Sequence, residues 1–319
     1  MDCRKPRLVG TSLVLVLCAG CAAHNLFGRE IHVERGSYLW RGERLDYYVG
    51  VAAGTRDGAP LAVFVEGDGS QCQGFREEAW RRFLVRRTGS ALLVRPRTYV
   101  NTVCGTPRFA QADFLHRVEE LGSLLQALRA AYPGRAVFLI GHSAGAHVAV
   151  LHASAHPGEV AGIANLGGGT WPLSDLLPEI AREKGRRGLL EPAAVEARLA
   201  DHQSLMARLR AAPDSESPMW ARTERFWSQM FFSGVRPLWS SAEFPVLVLH
   251  GTQDLDSVPA SAVAQSRDEM ARAGKANVQF VLLQGLGHDL LGERPFQLVD
   301  QWISSQSASR PRGAGEGAK

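Results

Sequence analysis

The sequence predicts an α/β fold with a mostly parallel central sheet and helices on both of its faces. Short, strongly apolar runs recur along the chain, and segments with helical spacing separate them. Runs this apolar are typical of strands that are buried on both faces of a parallel sheet. Strands that alternate with helices favour right-handed crossovers, which place helices on both sheet faces. With 319 residues, the chain can form one large domain or two small ones, and either can bury a substantial core.

The predicted elements follow one another in a regular order. Two stretches of alternating polarity, 30–40 and 43–52, indicate an antiparallel opening hairpin. Apolar residues at helical spacing, from Phe114 to Leu128, predict a helix that ends before Pro133. The buried strands are predicted at 61–65, 91–94, 136–140, 160–166, 245–250 and 278–283. Further helices are predicted at 77–87, 144–155, 259–273 and 296–304.

Residues 170–243 interrupt this alternation, because they contain no convincing strand. Apolar positions from Val195 to Leu209 predict an amphipathic helix after Pro192, and the stretch MWARTERFWSQMFF suggests another. Four of the seven tryptophans lie in this interval, which makes it rich in aromatic side chains. A long insertion after a strand end is where α/β enzymes carry lids. The tryptophans either line such a helical lid or only pack its helices against the body.

The two ends of the chain differ from its body. Segment 1–21 has a basic start, an apolar stretch too short to span a bilayer comfortably, and small residues before Cys21. This pattern resembles a bacterial lipoprotein signal, in which Cys21 is lipidated and anchors the protein to a membrane. A plain secretory signal and a membrane-spanning anchor are the alternatives, and all three imply export to the cell envelope or periplasm. The folded domain is expected over 22–305, and the small, polar segment 306–319 is expected to be disordered.

Charge and residue pattern argue against two kinds of partner. The net charge is only +4, and part of it comes from a basic cluster at positions 4–7. No basic stripe recurs in the sequence, so no nucleic acid partner is expected. His147, His152 and His156 lie along one predicted helix without acidic company, so no metal site is expected either.

The stretch FLIGHSAGA at 138–146 places a serine between two glycines directly after an apolar run. Its pentapeptide G-H-S-A-G fits G-x-S-x-G, with a predicted strand before it and a predicted helix after it. A serine on so sharp a turn is held at strained backbone angles, and Gly141 and Gly145 have no Cβ to collide there. Ser143 Oγ is then presented at the carboxyl end of a strand, where open α/β sheets build their sites. A plain glycine-rich turn is the alternative, and the placement between strand and helix disfavours it.

A serine hydroxyl is a poor nucleophile unless a base takes its proton. His288 follows the last predicted strand and a Gly-rich turn, so its ring is expected to reach over the sheet edge. The orienting acid should follow the preceding strand, where HGTQDLDSVP offers Asp254 and Asp256. Asp254 is preferred because it lies closer to the strand end, whereas Asp256 suits capping of the helix that begins near Pro259.

On these motifs the chain resembles the α/β-hydrolase-fold serine hydrolases over residues 30–305, with Ser143, Asp254 and His288 in the chain order of that family. The resemblance implies that Ser143 attacks a carbonyl carbon, His288 shuttles the proton and Asp254 holds the imidazole tautomer. It implies a small-molecule acyl substrate, and neither a metal nor an organic cofactor. The predicted function is cleavage of a carboxylic ester or a related acyl bond through an acyl-enzyme. Peptidase or thioesterase activity on the same triad is one alternative, and a non-catalytic envelope lipoprotein is another.

The family stabilises the reaction's oxyanion with backbone amides, one of which corresponds to Ala144 here. The second amide comes from the loop after strand 61–65, which reads EGDGS where family members commonly have His-Gly. We predict the Asp68 amide as this donor, with Gly69 as the alternative. The two carboxylates of this loop would oppose an oxyanion, so they are expected to have partners, and Arg97 is a candidate for Asp68. A second possibility is that one carboxylate binds a cationic group of the substrate.

Export leaves Cys72 and Cys104 as an even pair of cysteines in an oxidising compartment, which predicts a disulfide. Neither cysteine belongs to a C-x-x-C pair, which argues against zinc. In the fold that the resemblance implies, the strands before these cysteines are neighbours, so a bridge would tie down the loop that carries Asp68. Two buried free thiols are the alternative.

Overall fold

The computed structural model describes residues 31–52, 54–68, 91–103 and 105–308. Most of its strands come from the apolar runs of the sequence. The strands are β1 (Ile31–Trp40), β2 (Glu43–Ala52), β3 (Leu61–Val65), β4 (Leu92–Pro96), β5 (Val137–His142), β6 (Gly162–Leu166), β7 (Pro218–Met219), β8 (Arg222–Thr223), β9 (Val246–Gly251) and β10 (Val278–Leu283).

Eight of these strands form one sheet in the order β1-β2-β4-β3-β5-β6-β9-β10. The opening hairpin β1–β2 is antiparallel and joins β4 antiparallel, while every later neighbour in this order pairs parallel. The predicted α/β fold with a mostly parallel sheet is therefore confirmed. Strands β3, β6 and β9 are buried along their whole length, because mainly apolar residues lie on both of their faces.

The described helices cover both faces of this sheet. On one face, α3 and α4 pack with alternate residues of β3, whereas the remaining β3 residues face α10 on the opposite side. Segment 77–87, where a helix is predicted, lies outside the described residues. The helices are α1 (Tyr99–Thr102), α2 (Pro107–Gln111), α3 (His116–Ala131), α4 (Ala144–Ala155), α5 (Leu173–Arg186), α6 (Pro192–Ala211), α7 (Glu224–Phe231), α8 (Val235–Ser241), α9 (Ala260–Arg272) and α10 (Glu293–Ala308).

Residues 170–243, which we call the insertion, contain α5 to α8 and also the hairpin β7–β8. The expectation of no strand in this interval is therefore wrong, because strands of two residues are too short to show a period in the sequence. Trp171 and Trp239 are buried against the body, whereas Trp220 at the hairpin tip is 57% exposed. At least two of the four tryptophans of the insertion therefore serve packing.

The two chain ends are described only in part. Helix α10 continues to Ala308, past the start of the tail predicted at 306. Cys21, Cys72 and Cys104 lie outside the described residues, so lipidation and the disulfide stay predictions. Across the residues that the structure describes, each helix is too short or too polar to traverse a bilayer.

Candidate active site

Ser143 lies on the sharp turn between β5 and α4, with φ 52° and ψ −128°. This positive φ is unusual for a residue with a side chain and costs about 1–3 kcal/mol. The turn is held because the Ser143 amide donates to the Leu166 carbonyl at 2.9 Å, and the Ser143 carbonyl accepts from the Ala146 amide at 3.0 Å. A Cβ at Gly145 would collide with the carbonyl oxygen of Val65, so only glycine fits there. The G-x-S-x-G spacing thus builds a strained turn that displays the serine hydroxyl.

The structure brings the three predicted side chains of the triad together. His288 Nε2 lies 3.0 Å from Ser143 Oγ, and His288 Nδ1 lies 2.7 Å from Asp254 Oδ2. These residues follow β5, β9 and β10, strands whose carboxyl ends meet at one edge of the sheet. Both distances are within the range of hydrogen bonds, so the imidazole can exchange a proton with the hydroxyl while the carboxylate orients it.

Asp254 has an environment suited to a permanently ionised carboxylate. The residue is 1% exposed, and its Oδ1 accepts a hydrogen bond from the amide of Ser257 at 3.0 Å. Burial alone would raise the pKa of Asp254, but the hydrogen bond and charge of His288, with smaller contributions from nearby groups, lower it overall. The carboxylate therefore stays charged at neutral pH.

Asp256, the alternative acid, points away from His288. Its side chain is 84% exposed, and it forms an ion pair with Lys184 of α5 at 2.6 Å. The expectation that Asp256 caps α9 is wrong, because Pro259 occupies the cap position and no side chain bonds there. Of the two candidate acids, only Asp254 contacts the imidazole.

Residues 66–68 after β3, which we call the β3 loop, pass directly beside the serine. A Cβ on Gly67 would lie 2.9 Å from the Ser143 Cβ, so the loop backbone approaches as closely as glycine allows. Asp68 and Ala144 flank this contact in sequence, as the two predicted oxyanion donors should. Gly69, the alternative donor, lies outside the described residues.

Both carboxylates of the β3 loop have partners, although not the predicted one. The Glu66 carboxylate accepts hydrogen bonds from Arg95 and Asn101. Asp68 Oδ1 lies 2.5 Å from Arg222 Nη2, with the two side chains 7% and 2% exposed. Arg97 is exposed, so its prediction as the partner of Asp68 is wrong. The true partner comes from the insertion, 154 positions away along the chain.

Sequence reasoning missed the cations that hold the β3 loop. Arg117 of α3 donates to the Glu66 carbonyl, and Arg222 of β8 binds Asp68. The only signal for them was the pair of acids, Glu66 and Asp68, in EGDGS, which requires nearby positive charge but does not say where along the chain it lies. Within the described ranges, no three His, Cys, Asp or Glu side chains are grouped so that they could hold a metal ion.

Histidines buried around the turn predict a pH dependence of stability. His147 on α4 is buried, and burial lowers its pKa from 6.5 to about 4. The unfolded chain binds this proton near pH 6.5, so the free energy of unfolding is expected to fall as pH drops from about 6.5 to about 4. The loss from this group is at most about 1.4 kcal/mol per pH unit. Burial also lowers the pKa of His142 and His250, and their titration adds to the same trend.

Urea denaturation between pH 7.5 and 4.5 measures this dependence. A folded His147→Gln variant is expected to lose less stability on acidification than the unmodified protein. His32, whose side chain is 66% exposed, is the control position, and His32→Gln is expected to leave the dependence unchanged. Equal slopes for the His147 variant and the unmodified protein would contradict the assignment.

The sequence matches one protein-family model. The Hydrolase_4 family model, described as serine aminopeptidase, S33, matches residues 105–295, a range that includes all three triad positions. No sequence match was found among curated proteins.

Several solved structures share the fold at low sequence identity. Est1E from Butyrivibrio proteoclasticus is 17% identical, with a TM-score of 0.57 over 86% of this chain and 99% of that chain. A highly thermostable carboxyl esterase from Bacillus coagulans is 15% identical, with a TM-score of 0.58 over 86% and 98% of the two chains. A loop variant of the haloalkane dehalogenase DbeA from Bradyrhizobium elkanii is 18% identical, with a TM-score of 0.54 over 86% and 98%. At identities this low, the structural likeness shows that the fold is shared and nothing further.

Proposed function

The chain belongs to the Hydrolase_4 family, described as serine aminopeptidase, S33, and from this premise we propose that it is a serine hydrolase that cleaves a carboxylic ester or a related acyl bond. The observation that carries the proposal is the hydrogen-bonded chain from buried Asp254 through His288 to Ser143. A purely binding protein has no need of a serine on a strained turn whose partly buried hydroxyl is held against an imidazole in this way.

In the proposed reaction, Ser143 Oγ attacks the carbonyl carbon of the substrate while its proton passes to His288 Nε2. Asp254 keeps Nδ1 protonated and stabilises the imidazolium. The amides of Ala144 and Asp68 bind the negative charge that develops on the carbonyl oxygen. His288 then gives its proton to the leaving group, and a water molecule attacks the acyl-enzyme by the reverse sequence of proton transfers.

The charge around the β3 loop supports this assignment. Two bare carboxylates beside the developing oxyanion would raise its energy, but each is bound by an arginine. The same pairing disfavours the possibility that Asp68 binds a cationic group of the substrate, because Arg222 already occupies Oδ1 and the side chain is almost fully buried.

Labelling with a fluorophosphonate tests the proposed function. The reagent phosphonylates an activated serine, so the folded protein is expected to label, and Ser143→Ala is expected to abolish the label. Ser204→Ala, at an exposed position of α6, is the matched control and should label normally. A folded, unmodified protein that never labels would favour the non-catalytic alternative.

The chemical type of the bond that is cleaved requires a separate test. The description of the family favours peptidase activity as the second candidate, and a thioester is a third acyl bond that the same triad could cleave. Esters, thioesters and aminoacyl amides that share one acyl group, compared by kcat/KM, distinguish the three. A much larger kcat/KM for the amide than for the matched ester would replace the ester assignment by the peptidase one.

We further propose that the protein is exported and anchored through lipid on Cys21, and that Cys72 and Cys104 form a disulfide. The support for these proposals is the leader pattern and the even number of cysteines that remain after it. The insertion is proposed to act as a lid, since it follows β6 and one of its residues contacts the β3 loop.

A further inference from the structure

We infer that Arg222, which the insertion carries, is a positioning residue for the hydrolytic centre: it holds Asp68 and thereby the backbone of the β3 loop against Ser143. The inference rests on the proposed function. Because Arg222 belongs to the insertion, the oxyanion site is complete only while the insertion is packed on the body. The insertion then controls the rate of reaction as well as access to the site.

The first observation is how completely Arg222 is held. Its Nη2 donates to Asp68 Oδ1 at 2.5 Å, and its Nη1 donates to the Phe109 carbonyl at 2.6 Å. The guanidinium also lies between two aromatic rings, 3.5 Å from the centroid of Phe109 and 4.7 Å from that of Phe226. A planar cation fixed by two hydrogen bonds and two ring faces has little freedom to move. Its position therefore sets the position of the carboxylate that it binds.

The second observation is where Asp68 lies. Its neighbour Gly67 is packed so closely on Ser143 that a Cβ would lie 2.9 Å from the serine Cβ. Without its cation, the buried Asp68 carboxylate would be driven towards water, because an unpaired buried charge is costly. Such a movement would shift the adjoining backbone, including the Asp68 amide proposed to bind the oxyanion. The stabilisation of an oxyanion depends strongly on the geometry of its donors.

The third observation is the shape of the hairpin that carries Arg222. The tip residues Trp220 and Ala221 both have positive φ, at 47° and 65°, which a residue with a side chain adopts only when its surroundings require it. The Trp227 indole N–H donates to the Met219 carbonyl at 2.8 Å, which fastens the hairpin to α7. The turn exposes Trp220 to solvent while the next strand buries Arg222. The insertion is thus rigid at the point where it contacts the β3 loop.

Arg222 differs from the other cations of the β3 loop in where it comes from. Arg95 at the end of β4 and Arg117 on α3 belong to the body, and both bind Glu66. Arg222 belongs to the insertion and binds Asp68. Displacement of the insertion would therefore leave Glu66 held and release Asp68. The position of the insertion is therefore coupled to Asp68 and not to Glu66.

Steady-state kinetics of four variants on a small ester test the inference. Arg222→Met keeps an apolar chain between the two rings and removes the hydrogen bonds, and we expect kcat to fall roughly 10- to 100-fold with KM nearly unchanged. This is less than the 10²- to 10³-fold loss that follows removal of an oxyanion donor itself. Asp68→Asn keeps an acceptor for Arg222 and should lose less. Arg222→Lys keeps the charge but not the planar fork, and should lie between Arg222→Met and the unmodified protein.

Arg225→Met is the matched control. Arg225 lies in the same insertion and also forms an ion pair with the body, 2.7 Å from Asp113, but it does not contact the β3 loop. This variant is expected to keep the wild-type kcat. A loss of kcat equal to that of Arg222→Met would overturn the inference, because general anchoring of the insertion would then explain both results.

A trifluoromethyl ketone adds a readout that a merely structural role would not move. This inhibitor forms a tetrahedral oxyanion adduct with an active serine, so its Ki is expected to rise in Arg222→Met by the same factor by which kcat falls. A wild-type Ki in a folded Arg222→Met protein would overturn the inference. If Arg222→Met does not fold, the same comparison is made with Arg222→Lys, and a folded lysine variant with wild-type kcat and Ki would overturn it equally.

The two proposals fail in different ways. Unmodified protein that is folded, unlabelled and inactive would overturn the proposed function and this inference with it. Active, labelled protein in which the Arg222 variants keep the wild-type kcat would overturn the inference alone.

Discussion

Replacement of Ser143 by alanine is expected to lower kcat on an ester substrate by on the order of 10⁴- to 10⁶-fold. The variant removes the atom proposed to form the acyl-enzyme, so only binding and oxyanion stabilisation can still assist attack by water. KM is expected to change little, because the hydroxyl contributes mainly in the transition state. Kinetics on protein whose folding is verified by circular dichroism provide the measurement.

A double variant of Ser143 and His288 provides a second test of the proposed triad. In the proposed mechanism Ser143 and His288 act as one unit, so a Ser143→Ala, His288→Ala double variant is expected to be hardly slower than either single variant. Losses that multiply would show that the two side chains act separately, and substantial turnover in Ser143→Ala would assign the nucleophile to another residue.

Replacement of Asp254 by asparagine is expected to lower kcat by on the order of 10⁴-fold. The amide keeps the size of the carboxylate but cannot stabilise the imidazolium, and it favours the wrong tautomer of His288 at the 2.7 Å contact with Nδ1. Loss of a buried, ionised partner also leaves the imidazole less firmly oriented.

Asp256→Asn is the matched control for this prediction, since it makes the same chemical change two residues away. Asp256 is exposed and its ion pair is with Lys184, so kcat is expected to stay close to the wild-type value. A large loss in the Asp256 variant with an active Asp254 variant would reverse the assignment of the acid.

The fold and the meeting of Ser143, Asp254 and His288 could be predicted from the sequence because their signals are local. Apolar runs such as 136–140 and 245–250 are long enough to specify buried strands, and the strand ends then bring Ser143, Asp254 and His288 to one edge. A small set of rules restricts the strand order of a parallel sheet and places sites at the carboxyl ends of its strands. Side chains that are distant in sequence can therefore be placed together without knowledge of any individual contact.

Other features of the site could not be predicted in this way. Two-residue strands such as β7 carry no period, and Arg97, which the sequence suggests as a partner because it follows the next strand, is exposed. Distance from the strand end favours Asp254 over Asp256, but the ion pair of Asp256 with Lys184, away from His288, is a tertiary contact.

By itself, the sequence determined the sheet, the sharp turn around Ser143 and the chain order of Ser143, Asp254 and His288, since each can be read from short local motifs. Only the tertiary structure decided which cations neutralise the β3 loop, and it selected Arg222 of the insertion for Asp68. The physical reason is that electrostatic pairing acts through space over a few ångströms. Charge in a sequence therefore reveals that a partner is needed, and packing alone reveals which residue it is.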